Sequence, residues 1–206
     1  ELAVIDTPFF QRLHFIKQLG MTYRVFPGAQ HSRFSHSLGV MFIMDKMVTS
    51  PKLKDEINME DRQKLRLAAL LHDVGHYPLS HTIEVVMTDH GKREEARHEN
   101  FSAFVIKKHL SSILKRYSFE PKEIADIVTG TSLKPLYNQL MSSELDADCI
   151  DYLLRDSYHT GVAYGRIDLN RLLISLCLDR YGKLAVDPKA KYAAEDYMIG
   201  RYHMYA

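Results

Sequence analysis

The sequence predicts a mainly α protein, a helical bundle carrying one small β-hairpin near residues 176–186. Three observations lead there. Apolar residues recur at helical spacing over most of the chain. Capping residues and prolines stand where the periodic stretches begin, and glycines where they end. Only residues 175–186 look like strand: Leu176-Cys177-Leu178 and Leu184-Ala185-Val186 flank the turn-forming run Asp179-Arg180-Tyr181-Gly182-Lys183.

In chain order, Asp6-Thr7-Pro8 reads as a helix start, with a capping side chain and proline in the first turn. Phe10, Leu13, Ile16 and Leu19 continue that helix, and Gly20 ends it. Residues 22–35 read as loop, punctuated by Pro27-Gly28. A second helix is expected over 36–48, with Leu38, Met41, Met44, Met47 and Val48 forming its apolar face. Asn58 and Asp61 suggest the cap of a third, which runs through Leu67, Leu70 and Leu71. Gly75 breaks it, and Tyr77-Pro78 starts the next. Further helices are expected over 94–112, 121–129, 134–156 with breaks, and 189–206. No repeat, low-complexity stretch or linker interrupts the pattern, so 1–206 reads as a single domain. Glu1 opens neither a signal peptide nor a natural start, and Met204-Tyr205-Ala206 falls inside a helical pattern. The domain is therefore expected to be a fragment of a longer chain.

Composition narrows the function. A chain of 206 residues is long enough for one sizeable core. Its 46% apolar and 26% charged residues are the balance of an ordinary globular protein. A net charge of +1 gives no basic field, so a nucleic-acid partner is not indicated. No run of 18 apolar residues offers a membrane span. Cys149 and Cys177 are too few for a disulfide framework, and a reduced, cytoplasmic protein is expected.

The chemistry concentrates where the third helix stops. His72 and Asp73 follow the apolar run 65–71, which only Arg66 interrupts. A buried helix thus delivers two adjacent polar side chains, a costly placement unless both find partners. Imidazole and carboxylate are ligands for divalent transition metals. His36, at the start of the second helix, and the acidic segment 144–156 could supply more ligands. In that segment Asp148, Tyr152 and Asp156 stand at i, i+4 and i+8 and share one helix face, which suits the wall of a polar cleft. On the residues alone two readings stand level: a metal centre, or polar groups satisfied within the structure. His90, His109 and His203, each isolated on a helix, read as surface or satisfied core residues.

Particular stretches then carry a resemblance. They are Ile5-Asp6-Thr7-Pro8 with Phe10-Gln11-Arg12-Leu13, Ile16-Lys17-Gln18-Leu19-Gly20, and Val25-Phe26-Pro27-Gly28-Ala29. Arg33-Phe34 and His36-Ser37-Leu38-Gly39 follow, then His72-Asp73, Gly75-His76, Pro78 and Ser80-His81. Asp148, Asp151-Tyr152, Arg155-Asp156 and Gly161 complete the series. In order and spacing, over most of 5–165, these resemble the HD superfamily of metal-dependent phosphohydrolases. Within it the deoxynucleoside triphosphate triphosphohydrolases are the best match.

That resemblance implies an HD-type helical bundle with His36, His72, Asp73 and Asp148 as metal ligands. It implies His81 as the catalytic histidine, His76 and His98 beside it, and Glu84 as its acidic partner. Arg33 matches a phosphate contact, a task that suits its bidentate geometry. Gln18, Tyr152 and Asp156 match residues that recognise deoxyribose. The implied cofactor is a divalent transition metal (manganese, iron, nickel or zinc), with magnesium assisting at the phosphates. The implied reaction is hydrolysis of a deoxynucleoside triphosphate to deoxynucleoside and tripolyphosphate, by a homo-oligomer. The alternatives are another HD-type nucleotide phosphohydrolase, a phosphomonoesterase or phosphodiesterase, and a nucleotide-binding module without turnover.

The chain also departs from the triphosphohydrolase pattern. Cys149 replaces a phosphate-binding lysine. His14 replaces an arginine near Asp6 and Gln11, which match guanine-reading positions, so activation by nucleotides is not implied. A tyrosine that stacks on substrate would fall just past Ala206, and Arg201 is a candidate phosphate contact.

Overall fold

A computed structural model describes residues 1–79 and 81–205. Ser80, from the Ser80-His81 motif, and Ala206 lie outside the described residues.

Two short helices open the chain, α1 (Leu2–Ile5) and α2 (Pro8–Gln11). Thr7 caps α2 as expected, its hydroxyl accepting from the Phe10 amide, and Pro8 fills the first turn. The helix does not continue to Leu19. It tightens into a 3₁₀ turn at Arg12–Phe15 and stops. The reason lies across the chain, where residues 16–18 pair with residues 31–33. The Arg33 amide donates to the Ile16 carbonyl at 2.9 Å, and the Gln18 amide to the His31 carbonyl at 3.0 Å. These non-local bonds override the local helical pattern.

Helix α3 (Arg33–Val48) starts three residues before the expected His36, because Ser32 is still extended and serves as its N-cap position. Helix α4 (Met59–Leu71) begins where the sequence marks it, with the Asn58 side chain accepting from the Asp61 amide at 2.9 Å. Helix α5 (His81–Asp89) starts later than Tyr77-Pro78 suggests. Leu79 takes a φ of +63°, a left-handed conformation that a right-handed helix cannot contain. The expected 94–112 helix divides into α6 (Arg93–Ala96), α7 (His98–Lys108) and α8 (Ser111–Arg116). Arg97 is extended and separates the first two.

Next come α9 (Pro121–Val128), α10 (Pro135–Met141) and α11 (Ala147–Thr160). Asp146 caps α11 by accepting from the Cys149 amide at 2.7 Å. Gly161 ends it at φ +79°, one turn beyond the expected 156. Helix α12 (Leu169–Ile174) was not expected, being too short for periodicity to reveal. Strands β1 (Leu176–Leu178) and β2 (Leu184–Val186) pair antiparallel, with Leu176 opposite Val186 and Cys177 opposite Ala185. This is the predicted hairpin. Helix α13 (Lys191–Tyr205) closes the described chain. The protein is thus a mainly α bundle with one small hairpin.

The buried apolar side chains form one cluster with α4 at its centre. Leu65, Leu67, Ala68, Ala69, Leu70 and Leu71 are all buried, so the C-terminal half of α4 has almost no solvent face. Helices α3, α9 and α10 pack around it. Truncating a leucine held this way to alanine costs about 2–5 kcal/mol. The end of α4, where His72 and Asp73 emerge, is therefore rigidly placed. Among the described residues no helix is long and apolar enough to cross a membrane.

Candidate active site

Three elements converge on the end of α4. Helix α3 brings Arg33 and His36 in its first turn, and the loop after α4 brings His72, Asp73 and His76. Helix α11 brings Asp148 in its first turn and Tyr152 and Asp156 further along. Helices α5 and α7 start beside them with His81 and His98.

The loop after α4 is held on two sides. The Arg12 guanidinium donates to the Val74 carbonyl at 2.9 Å and to the His76 carbonyl at 2.6 Å. Ser102 in α7 donates to the His72 carbonyl at 2.6 Å and accepts from the Gly75 amide at 2.9 Å. Gly75 allows α7 this close, because a Cβ there would overlap the Ser102 amide nitrogen and the His98 carbonyl. A buried loop needs such partners for its backbone groups.

His36 and His72 are both buried, and each uses Nδ1 on a fixed acceptor. His36 Nδ1 donates to Asp151 Oδ2 at 2.8 Å, and His72 Nδ1 to the Ala69 carbonyl at 2.8 Å. In the neutral rings these bonds place the proton on Nδ1 and leave a lone pair on each Nε2. Neither Nε2 has a hydrogen-bond partner among the described residues. His36 Nε2 lies 2.9 Å from Asp148 Oδ1 and 3.8 Å from Asp73 Oδ2. His72 Nε2 lies 3.4 Å from Asp73 Oδ1 and 3.8 Å from Asp148 Oδ1. In the neutral rings two lone pairs therefore face two carboxylates, and Asp73 is the one that also accepts from Arg33 Nη1, at 2.5 Å.

This set is short of positive charge. His36 shows it: burial opposes its charge, yet Asp148 and Asp151 push its pKa up to about 10. Asp73 is buried too, but the Arg33 guanidinium beside it holds it well below the usual carboxylate range. A pocket that draws a proton so strongly onto an imidazole also suits a divalent cation, and mixed imidazole and carboxylate donors suit a transition metal. His36, His72 and Asp73 bring their ligand atoms within 4.8 Å of one another. Asp148 closes the set from the His36 side.

A profile of the HD domain matches residues 33–156, from Arg33 at the start of α3 to Asp156 in α11. The chain belongs to the HD-domain family. HD domains bind divalent metals, and this centre has the donors to do so. An uncharacterized protein of Methanocaldococcus jannaschii is 40% identical over the whole of this chain and 41% of its own length. The deoxynucleoside triphosphate triphosphohydrolase SAMHD1 of Mus musculus is 33% identical over 78% of this chain and 29% of its own. Among solved structures, a phosphohydrolase from Bacteroides thetaiotaomicron superposes with a TM-score of 0.84 at 32% identity. That match covers all of this chain and 49% of the other. The chain spans about half the length of the curated relatives it matches.

Beside the HD centre lies a second group. Glu84 accepts from His81 Nδ1 at 2.8 Å and from His98 Nδ1 at 2.7 Å. His76 stacks on His98 at 3.8 Å between ring centroids and meets His81 edge-on at 5.1 Å. Burial pushes His76 down to about 2, so its ring is neutral. Burial works against the charge of Glu84, but the two imidazoles hold its carboxyl well below the usual range. Burial also opposes charge on His98, while Glu84 and Asp73 raise its pKa. The His81 side chain is 68% exposed, so its Nε2 is open to a ligand.

A cavity of about 330 Å³ joins these groups. Asp73, Asp148, His76, His81 and His98 line it together with Gln18, Arg33, Tyr152 and Asp156, and Arg33 Nη1 donates to Asp73 Oδ2 at 2.5 Å. All twelve residues singled out in the sequence thus fall at this cavity or in direct contact with residues that line it. Gln18 Oε1 is buried without a hydrogen-bond partner among the described residues. Arg201 pairs instead with the Glu144 side chain. His90 and His203 are exposed, and exposed His109 stacks on Phe9.

Several supporting residues were not predicted. His31 is buried and meets Asp156 Oδ1 at 2.7 Å, with His159 stacked on its ring. Arg12, Ser102 and the Asp151–Arg155 pair were likewise not assigned roles. Arg12 and Asp151 stand in the quoted motifs, but nothing local reveals partners 62 or 115 positions away.

Proposed function

We propose that this domain carries out metal-dependent hydrolysis of deoxynucleoside triphosphates to deoxynucleoside and tripolyphosphate. One observation carries the reading. A single cavity is lined both by Asp73 and Asp148 of the imidazole and carboxylate donor set and by Arg33, Gln18, Tyr152 and Asp156. A phosphate chain and a sugar require those two kinds of surface side by side. The resemblance to SAMHD1 of Mus musculus, a deoxynucleoside triphosphate triphosphohydrolase, supports the substrate class.

His36, His72, Asp73 and Asp148 would hold the metal, for which manganese, iron, nickel and zinc all suit the donors. Once bound, it supplies Lewis-acid polarisation of phosphate oxygens. The protein's own groups do the rest. Arg33 offsets charge that builds on the α-phosphate. Gln18, Tyr152 and Asp156 bind and orient the deoxyribose. Water adds at the α-phosphorus, the bond from phosphorus to O5′ breaks, and tripolyphosphate and the deoxynucleoside separate. His81 has Nδ1 fixed on Glu84, so as an imidazolium it gives O5′ the proton on Nε2 and regains one from the attacking water. The pair fixes the ring's orientation, and His98 completes the grip on Glu84.

A second reading, a nucleotide phosphomonoesterase or phosphodiesterase, is favoured by Cys149. It stands beside Asp148 where a lysine would add charge for a longer phosphate chain, and burial raises its thiol to about 12, so it stays neutral. Product analysis separates the readings. Each dNTP and rNTP is incubated with the protein and manganese, and products are resolved by anion exchange. Deoxynucleoside with tripolyphosphate is the expected result. Monophosphate or free phosphate moves the assignment to the second reading.

A further inference from the structure

His36 is set by a device that involves more than its hydrogen-bond partner. Asp151 accepts from His36 Nδ1 and also takes two nitrogens of Arg155, Nε at 2.7 Å and Nη2 at 2.9 Å. Asp151 is buried, so its orientation is fixed by these bonds rather than by water. Asp151 and Arg155 stand one turn apart on α11, and the fork between them faces α3.

The residue of α3 that meets this fork is Gly39, three positions after His36 on the same helix face. Glycine is a poor choice inside a helix. A Cβ at Gly39 would overlap Asp151 Oδ1 and Cγ and Arg155 Nη2. All of these atoms are side-chain atoms. An added methyl would therefore displace the fork and leave the backbones of α3 and α11 in place. Gly75 differs in this respect, since a Cβ there would strike backbone.

We infer that Gly39 is a positioning residue for the metal centre: it leaves the space in which Asp151 and Arg155 interlock, and that fork aims His36 Nε2 at Asp73 and Asp148. The inference rests on the reading of His36 as a ligand. It adds Gly39, Asp151 and Arg155 to the groups on which cation affinity depends, though none of them touches the cation.

The test reads metal binding and needs no turnover. Wild type and variants are titrated with Mn²⁺ alone and with Co²⁺ alone, by calorimetry and by the visible absorption of bound cobalt. Thermal unfolding followed by circular dichroism reports the fold. Asp151→Asn and Gly39→Ala should each weaken binding by about 10- to 100-fold, the usual effect of outer partners of a ligating histidine. Both should shift the cobalt bands while unfolding stays cooperative. The double variant should bind no more weakly than Asp151→Asn alone, because both changes break one device.

Wild-type affinity and spectrum in Gly39→Ala would overturn the inference. So would a loss that adds in full to that of Asp151→Asn. Arg155→Met breaks the fork without crowding α3, so wild-type affinity there overturns the inference even if Gly39→Ala fails to fold. Failure of the wild type to take either metal would instead overturn the reading of the centre itself, and the inference with it.

Discussion

Two knots of histidine and carboxylate lie side by side in this domain. His36, His72 and Asp73 form one, and His76, His81, Glu84 and His98 form the other. In each, the ligand atoms fall within 4.8 Å of one another. What separates them is where the protons sit. In the first, both Nδ1 protons go to acceptors behind the site, Asp151 and the Ala69 carbonyl. In the neutral rings the Nε2 lone pairs then face carboxylates, and all three residues are buried. In the second, two imidazoles turn Nδ1 inward onto one carboxylate, Glu84, and His81 stays open to solvent. Similar residue types thus give one set whose Nε2 atoms face carboxylates and another whose Nδ1 atoms converge on one. The partner of Nδ1 decides which.

The largest expected effect comes from breaking the first knot. His72→Ala should lose bound metal and reduce hydrolysis to background while keeping its helical circular dichroism. Metal analysis and a turnover assay check this, and retained turnover would sink the metal assignment. Next is His81→Asn in the second knot. Hydrolysis should fall about 10²- to 10⁴-fold, the usual share of a proton-transfer group, with metal content unchanged. Loss of metal in that variant would show that the two knots act as one binding site. Glu84→Gln should have a smaller effect on rate and none on metal content, since an amide still accepts from one imidazole but carries no charge.

The smallest effect lies in stability against pH. The Glu84 carboxyl is lowered from its ordinary 4.5, so its contribution is full above that value and fades as pH falls below it. His98 is raised from 6.5, so its contribution is full below 6.5 and is lost as pH rises through the raised value. Both hold together between 4.5 and 6.5. Glu84→Gln should therefore flatten the fall in Tm on either side of that window, by a few degrees at most. Melting curves across pH 3–9 measure it.

The sequence carries the helices well where local chemistry alone decides them. Asn58 and Asp61 mark the start of α4, Thr7-Pro8 that of α2, and residues 176–186 make the hairpin as read. It misleads where a distant partner decides. The helix expected through Leu19 gives way to pairing with residues 31–33, and Leu79 delays α5 through a backbone conformation no side-chain pattern encodes. The site divides the same way. His72-Asp73 is visible as polar residues ending an apolar helix, and Asp148, Tyr152 and Asp156 as a stripe on α11. Arg12, His31, Ser102 and Asp151 act through partners between 27 and 125 positions away. Of these, Ser102 at 27 positions is the nearest, still far beyond one helical turn.

The Arg12 clamp has a consequence for the order in which the chain assembles during synthesis. Arg12 leaves the ribosome long before Val74 and His76, whose carbonyls its guanidinium holds. His36 likewise precedes Asp151 by 115 positions. Closing such long loops is the slow part of folding. The early segment must therefore wait with its cationic and imidazole groups in water until α4 and then α11 have been made. The centre is among the last parts of the domain to come into being, so a nascent chain stalled before residue 151 holds most of the α4 core and no finished site.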